Sequence, residues 1–92
     1  MKKDFQLPFH RDPGHGWVEV SRSDLASLKI AHKISGYSYQ KGNSVFLEED
    51  CDAGIFIKAA RDAGHSVSTK DISYNSEAPL RRYAPYSAGK SA

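Results

Sequence analysis

The sequence predicts a small α+β domain, a mainly antiparallel sheet with two helices in the approximate order ββαββαβ. Three observations carry that prediction. Short apolar runs alternate with turn residues, and two pairs of runs lie close enough to form hairpins. The third is Ser44–Gly64, which spells out a strand, an acidic helix start, an amphipathic helix and a glycine stop. Period-two alternation marks a strand, whereas recurrence every three or four residues marks a helix.

Phe5–His10 is the first apolar run, and Pro8 demotes it to an edge strand because proline donates no ladder hydrogen bond. Arg11–Gly16 is dense in turn residues. Trp17-Val18-Glu19-Val20 then alternates as a second strand, so Phe5–Val20 is predicted to be a hairpin. Ser21 is a helix cap, with Asp24 three residues later in a capping-box position, and Leu25 and Leu28 give the short helix one apolar side. Ile30 and Ile34 continue the burial.

A second hairpin follows over Tyr37–Glu48. Gly42-Asn43 suits a type II′ turn, since glycine comes first. This register sets Gln40 opposite Val45 and Tyr39 opposite Phe46. Tyr37, Tyr39 and Phe46 then share one face, and Ser38, Gln40, Val45 and Leu47 share the other. With helices on one side of the sheet, the aromatic-bearing face is expected to stay available. Asp50 is placed to cap the next helix, Glu48, Glu49 and Asp52 complement its dipole, and Gly64 ends it. His65–Tyr74 is the final strand, with Asp71 suggesting a break. Residues 1–86 form one domain, and 87–92 a flexible C-terminal tail.

Thirteen basic and eleven acidic residues leave a formal charge of +2, too slight a balance to demand nucleic acid. No window approaches a membrane span, and Met1-Lys2-Lys3-Asp4 makes a poor secretory signal. One cysteine builds no internal disulfide, which points to a reducing cytoplasm. The expectation is a cytoplasmic protein with no membrane partner.

The chemistry-bearing residues are weighed against structural roles. A helix start accounts for Glu48, Glu49, Asp50 and Asp52 without a metal or a catalytic pair. Cys51 is expected to be a small buried packing residue, because its acidic neighbours disfavour a thiolate. His10 and His15 flank the Pro-Gly turn, but zinc normally wants four ligands. His15 is expected to hydrogen-bond the turn, with Trp17 anchoring the strand. No catalytic residue, metal, cofactor or small-molecule substrate is expected. The aromatic and basic residues stay open between packing, a protein interface and nucleic-acid contact. Tyr37, Tyr39 and Lys41 form one candidate patch, and Arg81, Arg82 and Tyr83, with Tyr86 nearby, form another.

Asp12-Pro13-Gly14-His15-Gly16-Trp17, Ile34-Ser35-Gly36-Tyr37-Ser38-Tyr39 and Leu47-Glu48-Glu49-Asp50-Cys51-Asp52-Ala53-Gly54 together resemble small phage- and plasmid-borne accessory proteins. The resemblance covers roughly residues 12–64 and brings no catalytic residues with it. It implies a non-enzymatic counter-defence factor in the host cytoplasm. By analogy of setting, that is an anti-CRISPR docking on a Cascade-type surveillance complex to block target-DNA binding. The contact residues would be Tyr37, Tyr39 and Lys41, with Arg81, Arg82 and Tyr83 reaching protein or guide RNA. The alternative is a stand-alone nucleic-acid-binding accessory protein of a phage or plasmid.

Overall fold

Ser21 starts the first helix as its neighbours require: its Oγ accepts from the Asp24 N–H at 3.1 Å, satisfying an amide the helix leaves unpaired. In a computed structural model describing residues 2–88, that helix, α1 (Arg22–Ser27), follows strands β1 (Asp4–Arg11) and β2 (Gly16–Ser21). Next come β3 (Tyr39–Lys41), β4 (Ser44–Glu48), helix α2 (Asp52–Asp62), β5 (Ser66–Ser73) and the two-residue β6 (Ala84–Pro85). Short 3-10 turns occupy Ala31–Lys33 and Pro79–Arg82. The architecture is α+β, with a six-stranded mixed sheet in the order β5-β1-β2-β4-β3-β6.

The second hairpin has the expected register, Tyr39 opposite Phe46 and Gln40 opposite Val45. Gly42 adopts φ +59° while Asn43 does not turn positive, the pattern of a type II′ turn. Helix α2 buries Ala53, Phe56 and Ala60, and Gly64 at φ +92° ends it, a conformation glycine adopts without a Cβ penalty. The main core joins Phe5, Leu7, Val18, Val20, Val45 and Leu47 of the sheet to Leu25, Ile30, Ile34 and Phe56.

Four sequence expectations are corrected. β1 is not an edge strand, because β5 pairs parallel to it along its full length, Asp4 opposite Ser66 through Arg11 opposite Ser73. Pro8 leaves its mark on the other side. Asp12 N–H donates to His15 O on the β2 side, so by strand alternation the nitrogen of Pro8 also faces β2. There the β1–β2 ladder stops at Phe9, for want of an N–H to continue it.

Asp71 does not break β5, since it pairs in register with Phe9; on an exposed edge strand its side chain stays solvated. Tyr37 does not lie on β3 with Tyr39; it precedes the strand and is 82% exposed. The aromatic sheet face is not available either. Residues 74–86 run back across it as a strap, burying Ala78 and Leu80 against Trp17 and Phe46 and packing Tyr39, Tyr74 and Tyr83 around them. An uncovered aromatic face costs burial free energy, and the Ala/Pro-rich strap supplies its cover.

The strap ends in the main core. Tyr86 is buried, its N–H donates to Ser38 O at 2.7 Å and its hydroxyl to Ala31 O at 2.7 Å. Gln40, itself buried, accepts from Arg22 and, at 3.0 Å, from Ser87 N. Of the expected tail, residues 89–92 lie outside the described residues.

Candidate functional site

An open cleft of about 520 Å³ lies at one end of the sheet, lined by Gly14, His15, Trp17, Tyr37, Tyr39, Glu48, Asp50, Cys51 and Arg81. Three segments, residues 12–17, 34–39 and 47–54, contribute most of it.

Asp12 builds the first wall. Its Oδ1 accepts from the N–H groups of Gly14 and His15 at 2.9 Å each, closing the turn by an Asx-type bond. Its carboxylate also takes Arg81 in a two-pronged pair, Nε to Oδ2 at 2.7 Å and Nη2 to Oδ1 at 3.0 Å, and Ala78 N–H at 2.9 Å. The Arg81 side chain first, then the Ala78 amide, hold the Asp12 carboxyl below the usual carboxylate range. The guanidinium of Arg81 stacks over Trp17, 4.9 Å from its ring centre. The strap is therefore tied to the β1–β2 loop by both charge and packing.

His15 bonds the turn as expected, but through its backbone, its N–H donating to Asp12 Oδ1 and its carbonyl accepting from Asp12 N–H, each at 2.9 Å. His15 faces the opposite wall: its Nε2 lies 3.6 Å from Oε2 of Glu48 and 3.7 Å from Oδ2 of Asp50. His10 is engaged elsewhere, its two nitrogens on Tyr74 Oη at 2.9 Å and Glu19 Oε1 at 2.8 Å.

The helix start also differs from expectation. Asp50 does not cap α2; the position falls to Cys51, whose side chain makes no capping bond. Glu48, at the end of β4, does the work by accepting from Asp50 N and Asp52 N at 2.9 Å each. Burial pushes the Glu48 carboxyl up, but the backbone amides of Asp52, Asp50 and Cys51, with His15, outweigh it and leave the group below its ordinary value. Asp52 is buried beneath, and its Oδ2 accepts from Ser35 N at 3.0 Å, Ser35 Oγ at 2.7 Å and Ser38 Oγ at 2.6 Å. Cys51 is exposed rather than packed, because the helix turns its core stripe to Ala53 and Phe56.

The two predicted patches form one surface. Tyr37 and Tyr39 line the cleft with Arg81. Lys41 sits 4.7 Å over the Tyr83 ring, and Tyr83 packs on Phe46 at 5.5 Å between ring centres. Arg82 is exposed at the edge. Pairing of β3 with β6 brings the patches together. Sequence reasoning missed His15, Trp17, Glu48 and Asp50 as partners in one cleft. The available signal was their concentration in residues 12–17 and 47–54.

Among the described residues, no helix is long and apolar enough to cross a membrane. Compared with protein-family models, curated proteins and solved structures, the chain has no significant match.

Proposed function

We propose that this protein is a non-enzymatic binding protein that docks on a host protein or ribonucleoprotein through the aromatic rim of the cleft. The observation that carries this reading is Tyr37. It is 82% exposed, the largest exposure among the big apolar side chains of the described residues, at the mouth of a cleft backed by Tyr39 and the buried Trp17. A rigid aromatic beside a concave surface is the chemistry of an interface anchor. Arg81 is already neutralised by Asp12, and Lys41 lies over Tyr83. Of the predicted cations the surface thus keeps Lys41 and Arg82 exposed and without a carboxylate salt bridge among the described residues, a small charge for a phosphate backbone, which favours a protein contact over guide RNA or free nucleic acid. The finer identity of the partner, a Cascade-type surveillance complex whose target-DNA binding is blocked sterically, rests on the resemblance of residues 12–17, 34–39 and 47–54 to mobile-element accessory proteins.

The test is co-purification with a Cascade-type complex, together with phage restriction in cells expressing the protein. Tyr37→Ala is expected to keep the thermal midpoint of the parent while losing capture and restoring restriction. A parent protein that captures no complex subunit and leaves restriction unchanged removes the counter-defence reading. Salt-sensitive binding to labelled oligonucleotides without a partner would favour the nucleic-acid alternative.

A further inference from the structure

Glu48 lies at the meeting point of two groups of ligand-type atoms. In the first, one atom each from His15, Glu48 and Asp50 lies within 4.8 Å of the others; in the second, Glu48 joins Cys51 and Asp52 on the same criterion. The His15 Nε2 distances of 3.6 and 3.7 Å to the two carboxylates are too long for good hydrogen bonds. They are close to the separation of about 3.4 Å expected of two ligand atoms held at about 2.1 Å and tetrahedral angles on one ion.

An independent observation lies in the second group. Asp52 is 1% exposed, and all its recorded donors converge on Oδ2. Among the described residues its Oδ1 is buried with no hydrogen-bond partner. A buried anionic acceptor without a donor is costly, and a nearby cation is the simplest way to offset it. The framework is rigid as well. The Glu48 carboxylate is fixed by two backbone amides, and the Glu49 N–H donates to Gly16 O at 3.0 Å, tying the two loops together.

We propose that His15, Glu48 and Asp50 form a binding site for one divalent ion of zinc type, with a coordination position open to the cleft. An imidazole nitrogen beside two carboxylates selects zinc-like ions over calcium or magnesium, which prefer all-oxygen shells. Asp52 is linked to the site through Glu48, which its N–H holds at Oε1, and adds buried negative charge beside that shared carboxylate; Cys51 adjoins it without being a required ligand. The site stands whether or not the docking function holds.

The test is calorimetric titration of chelator-treated, desalted full-length protein with Zn²⁺, repeated with Mg²⁺. One saturable equivalent of Zn²⁺ per chain is expected, with far weaker Mg²⁺ binding. His15→Ala and Asp50→Asn should each weaken Zn²⁺ binding by more than the roughly 10–100-fold typical of an outer-shell change, while Cys51→Ser leaves it unchanged. Asp50 is 76% exposed in its side chain, so Asp50→Asn decides the matter even if His15→Ala folds poorly. Absence of saturable Zn²⁺ uptake would overturn the proposal. So would uptake that survives both His15→Ala and Asp50→Asn, or uptake that is lost with Cys51 alone.

Discussion

Truncating Leu80 to alanine tests whether the C-terminal strap is part of the folded core or a loose appendage. Leu80 sits in the 3-10 turn Pro79–Arg82, is 3% exposed, and shares a cluster with Trp17, Phe46 and Ala78. Removing a buried leucine side chain to alanine costs about 2–5 kcal/mol, depending on how far the surroundings collapse into the space. Here the cover is a strap with only a two-residue strand, which can settle inward, so the lower end, about 2.5 kcal/mol, is expected. That is a large share of the roughly 5–15 kcal/mol that stabilises a domain, and it lowers the thermal midpoint by about 10–20 °C. Urea unfolding followed by fluorescence measures it directly, because the single tryptophan, Trp17, lies inside the perturbed cluster. Circular dichroism in parallel reports the sheet and helices. A change below about 0.5 kcal/mol, the range of an ordinary surface substitution, would refute a strap that shares the core.

Two further outcomes follow from the site. Asp12 and Glu48 both titrate below their ordinary values in the folded protein, so their stabilisation is complete above the unfolded carboxylate range near about 4 and is lost as pH falls from there toward the depressed native values. Urea midpoints between neutral and strongly acidic pH should fall on the acid side. Asp12→Asn should be less stable at neutral pH and should flatten that limb, and parallel profiles for the two proteins would contradict the role given to the Arg81 pair. Cys51 is exposed and should react with a thiol-specific disulfide reagent in the native protein without denaturant. Protection until unfolding would return it to the packing role the sequence suggested.

Much of the fold was legible because its determinants are local. The Ser21 cap, the Gly42-Asn43 turn, the α2 stripe and the Gly64 stop are each decided within a few residues. What the sequence concealed depends on partners far along the chain. Pro8 reads as an edge signal, yet one side of its strand pairs with β5, about sixty residues later, and periodicity says nothing of which side a missing N–H faces. The strap from Tyr74 onward has turn-like composition and no periodicity, so only the uncovered aromatic face could have announced it. Glu48 looks like one more acid near a dipole, but its backbone bonds to Asp50 and Asp52 make it the cap. Such reversals of role between neighbours fall inside the one-to-two-residue uncertainty of any helix boundary.

The gathering of His15, Trp17, Tyr37, Tyr39, Glu48 and Asp50 in one cleft has a topological cause. β2 runs antiparallel to both β1 and β4, and β3 runs antiparallel to β4. The end of β1, the start of β2, the start of β3 and the end of β4 must therefore meet at one end of the sheet, where α2 also begins. Residues 12–17, 34–39 and 47–54 sit at those ends. Their side chains are held by the sheet rather than by any single loop, and the Trp17–Glu48 register pair joins two of the three segments directly. Arg81 alone comes from the strap, and it reaches the cleft through Asp12 and Trp17. Loosening the strap therefore perturbs the cation-bearing wall and the aromatic packing beneath it, and reaches His15 only indirectly, through Asp12 and Trp17, while Glu48 stays held by the amides of Asp50 and Asp52 at the helix start. In Leu80→Ala the proposed docking should thus weaken more than the proposed Zn²⁺ uptake, whose two carboxylates sit at the end of β4 and the start of α2.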